Sequence, residues 1–553
     1  MKKPLLSAED MRREETAFPT LNAEEIAAAR ACGKTEVYEA GQILVKAGQR
    51  PIDFFVVVSG AVDVIDTSRN EDVLLVTHGP GGILGDIGGL AGRPALATVR
   101  TAQPTELIRL TIDQTRLLLV RSANLSERWI EAFIRRRELL ESSGFEGLRV
   151  FGPHSDPATL RVREFLYRNG VPHRWMDIGD PANSAALAGL SQAPKCWPAV
   201  VWGHDVLFEN PTLSEMAARA GLQRHIPNEI FDTVIIGSGP AGLSAAVYAA
   251  SEGLRALVLD LIGPGGQAGA SSRIENYPGF PAGLSGRELG WRMYLQALKF
   301  GATFSAPVQV TALRRLADGL HEVVTAGGEI VRTKTVVIST GIAYRSMDVK
   351  GLEALHGSGV FYSATQVEAQ LCRSRPVHVI GAGNSAGQAA MYLSKFAERV
   401  YLIVRGNDLN KNMSDYLTER VQAHPRIQIM LNHELREVEG STALEKVTVE
   451  NTATGTTIVQ ESGGVFIFIG ATPCTGFVGD HIRKDENGFI LTGAETVGTG
   501  AWPLSDRVPC PLESSSPGVF AAGDCRSRTT KRVAFAVGDG ALAVTCIHDF
   551  LGT

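Results

Sequence analysis

A chain of 553 residues has room for three or four domains of ordinary size. With 44% apolar and 20% charged residues it has the make-up of a globular protein, neither disordered nor fibrous. A net charge of −5 excludes the dominant basic surface that nucleic acid demands of a general partner.

The opening MKKPLLSAEDMRREE carries lysines but no apolar stretch before acids appear, and no run reaches the roughly 18 apolar residues of a membrane span. The expectation is a cytoplasmic protein with no membrane partner. The cysteines Cys32, Cys196, Cys372, Cys474, Cys510, Cys525 and Cys546 stand singly, with no C-x-x-C. In a reducing compartment most are expected as small buried thiols, and no metal site is read.

From about 18 to 140 the chain reads as short strands separated by turn signals (GQILVKAGQ, DFFVVVSGAVDVI, DVLLVTHGPGGILGDIGG), then a helix-period stretch, SERWIEAFIRRRELLESS. The arginines Arg135, Arg136 and Arg137 read as a solvated face. This β jelly-roll pattern resembles the cyclic nucleotide-binding domain, whose cassette supplies a glutamate to the ribose and an arginine to the cyclic phosphate. Here the cassette has Asp86 for the glutamate and Ala95 for the arginine, with Arg93 two residues early. A bidentate phosphate contact depends on position as well as charge, so cyclic nucleotide binding is in doubt and a retained scaffold is the alternative.

Residues 147 to 224 run strand, helix, strand and hairpin, an order that resembles glutaredoxin, a compact thioredoxin-type α/β fold. The resemblance places Trp197-Pro198 at that family's cis-proline and Asp156-Pro157-Ala158-Thr159 at its C-P-x-C. Disulfide exchange needs a thiolate at a helix N-terminus and a second thiol to resolve the mixed disulfide, and neither is present. Cys196 is near enough in sequence to watch, with a buried strand thiol as its expected state.

Beyond residue 226 strands alternate with longer helices, the mark of doubly wound sheets. The strand Thr233-Val234-Ile235-Ile236 leads into Gly237-Ser238-Gly239-Pro240-Ala241-Gly242, a helix, and a strand ending in Asp260. Gly237 permits the turn, Gly239 lets backbone approach a pyrophosphate, Gly242 lets helix and strand pack, and Asp260 can accept from a ribose. A second fingerprint, Gly381-Ala382-Gly383-Asn384-Ser385-Ala386, precedes a strand ending in Arg405 rather than an acid. Arg405, with Lys411, suits a 2′-phosphate, so NADPH is favoured over NADH. Two such Rossmann-type folds imply two cofactors.

From 229 to 553 the chain resembles thioredoxin reductase at Gly265-Gly266-Gln267, Ile274 to Phe280, Ser339-Thr340-Gly341, Gly464 to Gly470 and Gly518 to Asp524. The resemblance implies FAD in the first fold, lined by Gly266, Gln267, Asn276, Thr340, Gly341, Gly523 and Asp524. It further implies a helix N-terminus at Arg532-Val533 facing the flavin, NADPH in the second fold, and a homodimer. The cluster Arg526, Arg528, Lys531 and Arg532 reads either as an exposed face or as a landing site for an acidic partner. The expected domains are 1–146, 147–225, 226–345 with 466–553, and 346–465.

One departure matters most. The family's redox C-A-T-C reads Ser363-Ala364-Thr365-Gln366 here. Flavin reduction needs neither cysteine, but the family's onward route does. Three readings stay open: an NAD(P)H oxidoreductase serving an electron carrier protein, a quinone or oxygen; a disulfide reductase using another thiol, Cys525 first; or a redox- or ligand-sensing regulator.

Overall fold

The computed structural model describes residues 14–553 except 68–71, 86, 143–147, 154–155, 203–204, 221–225, 272–273, 275, 346, 353–354, 356–357, 363, 365 and 442. Of the expected functional positions, Asp86, Ser363 and Thr365 lie outside the described residues, as does the side chain of Gln366.

The N-terminal strands form two four-stranded antiparallel sheets. One has Lys34–Tyr38, Thr105–Leu110, Phe54–Ser59 and Ile83–Leu84 side by side, and the other Ile43–Val45, Thr98–Thr101, Val62–Asp66 and Val73–His78. Trp129 and Phe133, four apart on the closing helix Ala123–Ser142, pack on Phe54 of the barrel, Trp129 stacked and Phe133 tilted, and are buried. Arg135 and Arg136 on that helix are no free solvated face, while the side chain of Arg137 lies outside the described residues. Arg135 pairs with Glu14, and Arg136 donates to the carbonyls of Ala17, Ile83 and Gly85, tying the cassette down.

The middle domain has a four-stranded sheet in the order Arg174–Asp177, Leu148–Gly152, Ala199–Trp202, Asp205–Glu209, with helix Pro157–Arg168 against it. The Trp197-Pro198 bond is cis, as the resemblance to glutaredoxin implied.

The first dinucleotide fold has a seven-stranded sheet whose parallel centre is Ala256–Leu259, Phe231–Ile236, Ile330–Ile338 and Val519–Ala521. Helices Pro240–Ser251, Gly286–Phe300 and Val533–Leu551 cover one face in a shared apolar core. Val533–Leu551 is, by length and composition, apolar enough to cross a membrane, against the expectation that no stretch qualifies. Its apolarity has another cause: Ala536, Gly540, Ala543, Val544, Cys546 and Ile547 are buried in the fold, and the Ser244 hydroxyl donates to the Val537 carbonyl at 2.8 Å.

The second fold is a five-stranded parallel sheet, Val360–Phe361, Gly464–Ile467, Val377–Ile380, Val400–Val404 and Ile427–Leu431, flanked by a three-stranded antiparallel sheet. Gly464–Ile467 therefore belongs wholly to this sheet, and the expected boundary at 465/466 falls too early. The chain crosses between the two folds through Ile342–Tyr344 paired with Ala471–Pro473.

Candidate functional site

A cavity of about 470 Å³ opens between the two dinucleotide folds. Gly237, Gly239, Pro240, Ala241, Asp260, Gly266, Gln267, Asn276, Thr340, Gly341, Gly523, Asp524, Arg532 and Val533 line it from the first fold, and Gly383, Asn384 and Ser385 from the second. Residues far apart in sequence but assigned to the cofactors by motif are thus brought to one place. Ser339, Phe468 and Lys531, from or beside motifs read in the sequence, line it too, as do Ile342 and Gln388, which lie outside every such motif.

Local geometry explains the fingerprint. Gly237 has φ +103°, and a Cβ there would stand 2.5 Å from the Ser339 carbonyl oxygen. At Gly242 a Cβ would be 1.9 Å from the Gly237 carbonyl oxygen, so helix and strand touch backbone to backbone. At Gly239 a Cβ would meet nothing nearer than 3.9 Å, because that position faces open space.

Three helices end at this cavity: Pro240–Ser251, Asn384–Leu393 and Val533–Leu551, with N-caps Gly239, Gly383 and Arg532. None of the three has a side-chain cap hydrogen bond. Their first-turn N–H groups and positive dipole ends are therefore left for anionic groups.

The charged groups are arranged to match. Asp260 accepts from the backbone N–H of Ser238 at 2.6 Å, Ile262 at 2.8 Å and Gly263 at 2.7 Å. A carboxylate accepts about four hydrogen bonds, so it has capacity for one more, enough for a ribose hydroxyl. The Ser238 hydroxyl, beside it, is buried with no partner. Burial pushes the Asp524 carboxyl up to about 6, against the pull of Lys531 and with help from Asp539. Asp539, missed in the sequence, accepts from the Gly523 N–H at 3.0 Å and pairs with Arg526, which holds the Gly523-Asp524 turn.

The basic cluster disperses. Arg526 is committed to Asp539, Arg528 reaches Glu495, Lys531 lies over Phe489, and only Arg532 and Lys531 border the cavity. Arg405 and Lys411 are exposed on the second fold and are not among the cavity's lining residues, with Arg405 at 4.0 Å from Glu434.

The cysteines differ from expectation. Only Cys372, Cys525 and Cys546 are buried, while Cys196 is exposed, with its Sγ 3.5 Å from a Glu209 carboxylate. It lies just ahead of the strand Ala199–Trp202 rather than within it. Cys525 is fully buried, donates to the Ile338 carbonyl, and burial pushes its thiol up to about 12. No cysteine is among the residues lining the cavity. Gln366 begins the helix Gln366–Leu371, and Ala364 is buried in the second fold rather than facing the cavity.

Residues 231–540 match the family of pyridine nucleotide-disulphide oxidoreductases. The chain belongs to that family. Residues 35–122 separately match the cyclic nucleotide-binding domain. Thioredoxin reductase of Treponema pallidum is 34% identical over 323 residues, 58% of this chain and 98% of that protein. The bifunctional thioredoxin reductase/thioredoxin of Mycobacterium leprae is 34% identical over 315 residues, 57% of this chain and 64% of that one. Among solved structures, the thioredoxin reductase of Lactococcus lactis superposes with a TM-score of 0.52 at 30% identity, covering 58% of this chain and 99% of that one. That of T. acidophilum gives 0.52 at 29%, with the same coverage. This oxidoreductase is thus an FAD-dependent enzyme of the thioredoxin reductase-like kind, with FAD and NADPH as its cofactors. Its uncapped helix ends and the acceptor capacity left on Asp260 fit those groups.

Proposed function

We propose that this oxidoreductase passes electrons from NADPH through FAD to an acceptor other than a protein disulfide: a quinone, an electron carrier protein or oxygen. Its place of work on this reading is the cytoplasm, as a homodimer. The observation that carries the reading is a cavity lined by both glycine loops with no cysteine among its described lining residues.

FAD, when bound, supplies the chemistry of accepting a hydride and releasing electrons onward. The chain's residues bind and orient. The Pro240 helix N-terminus, with Gly239 and Gly266, receives the pyrophosphate, and Asp260 uses its remaining acceptor capacity on the ribose. The Val533 helix turns its uncapped N–H groups toward negative charge, which favours the reduced cofactor. In the second fold Gly381, Gly383, Asn384, Ser385 and Ala386 form the nicotinamide nucleotide's cradle. Arg405 and Lys411, exposed on that fold, are the cations to meet a 2′-phosphate, Arg405 by leaving its ion pair with Glu434.

The reading that employs a non-standard thiol fares worse. Cys525, fully buried and held protonated, has little of the thiolate that exchange requires. Steady-state assays with NADPH test the proposal. Turnover with ferricyanide or a quinone, and none with oxidised thioredoxin, is the expected result. Thioredoxin reduction abolished by Cys525→Ser would overturn it.

A further inference from the structure

The helix Pro157–Arg168 starts at the positions where a thioredoxin-type fold would carry its cysteines, and its Leu160 shares an apolar cluster with Ala364, from the segment where the reductase would carry its own. Leu160, 8% exposed, joins the apolar cluster that holds Phe361, Ala364, Ala369 and Ala390; every other buried member lies between residues 361 and 466. One turn on, Arg163 is buried over the Trp175 ring at 4.1 Å, within reach of the charges of Glu368 and Asp177. A further turn on, Tyr167 neighbours Tyr392 of the second fold, and Arg287 of the first fold lies over its ring at 4.1 Å. Positions 160, 163 and 167 share one helix face.

The end of the same helix is tied to two more domains. The Asn169 carbonyl accepts from Arg93 of the cassette at 2.7 Å, and its amide donates to the Ile262 carbonyl at 2.7 Å, two residues from Asp260. Arg93, expected as a substitute phosphate ligand, is 5% exposed and spent on this bridge.

We propose that the middle domain is a fixed internal occupant of the face around Ala364, closing it to external thioredoxin-like partners. This rests on the reading that electrons leave by a route other than cysteines. A dithiol passes its two electrons only when a thiolate sulfur attacks a disulfide sulfur, so any such partner must touch this segment directly. Leu160, Arg163 and Tyr167 already stand against the second fold beside that face.

Amide hydrogen exchange on the full FAD-loaded chain tests the contact. Leu160→Asp places a charge in the apolar cluster and is expected to speed exchange across residues 360–371 at least tenfold. Arg161→Asp, on the exposed side, leaves it unchanged. Where Leu160→Asp perturbs strands 148–152 and 199–202 as well, the milder Leu160→Ala decides, with a smaller increase confined to 360–371. Unchanged exchange there in the folded variant overturns the proposal. A second arm restores the relay with Ser363→Cys and Gln366→Cys. Added thioredoxin should be reduced at least tenfold faster when Leu160→Asp is also present, and equal measurable rates with and without it overturn the proposal. Where neither form reduces thioredoxin, the exchange result decides. Thioredoxin reduction by the unmodified chain would instead contradict the proposed function.

Discussion

Two helix N-termini in this oxidoreductase make opposite use of the same physics. At Pro240–Ser251 the cap is a glycine with no side chain, and the free N–H groups open on the cavity. At Pro157–Arg168 the cap is Asp156, whose carboxylate accepts from the Thr159 N–H and hydroxyl, both at 2.7 Å. A helix N-terminus is an anion site or a thiolate site only while its donors are unspent. Asp156 spends them locally, so this end has become structural; Gly239 leaves them open, so that end still binds.

The comparison breaks most visibly at Gly242. In Gly242→Val the added Cβ meets the Gly237 carbonyl oxygen at 1.9 Å, which forces the Pro240 helix off the strand. We expect FAD affinity to fall about 100-fold, or the chain to be recovered without flavin, by absorbance and titration. Retained stoichiometric FAD would deny the cradle its role.

Asp524 gives the next effect. Burial raises its carboxyl from an ordinary 3.8 to about 6, so the folded state disfavours the ionised form. Its contribution therefore falls as pH rises from about 4 to about 6, by on the order of 2–3 kcal/mol for the cofactor-free protein. Urea denaturation at pH 4.5 and 7 should show this loss in the native chain, with a smaller pH dependence in Asp524→Asn.

Arg405→Ala sharpens the assignment of the second cradle. The KM for NADPH should rise about tenfold, while that for NADH changes less than about twofold. Equal changes for both would place the 2′-phosphate elsewhere. Smallest of all, Asp156→Ala should cost about 1 kcal/mol of stability in the middle domain by thermal melting, with turnover unchanged. A fall in turnover would show that this helix end has kept a chemical role.

Much of the cradle was legible because strand, glycine loop, helix and terminal residue are neighbours in sequence. Gly237, Gly239, Asp260, Gly383 and Asp524 all line or border one cavity as their motifs imply. What the sequence hid depends on contacts between distant segments. Asp539 holds Gly523 and Arg526 from a helix whose pattern reads only as apolar. Arg93 looked like a displaced phosphate ligand, yet it satisfies a carbonyl 76 residues away in the next domain. Strand Gly464–Ile467 was assigned to the wrong fold in part because parallel strands bear the same apolar run on either side of a crossover.

The most direct measurement mixes the FAD-loaded oxidoreductase with NADPH in a stopped-flow instrument without oxygen, follows the visible flavin absorbance, and then adds an acceptor. The account predicts bleaching by NADPH, rapid recovery with a quinone or ferricyanide, and no recovery with oxidised thioredoxin. Recovery with thioredoxin as fast as with a quinone would contradict it.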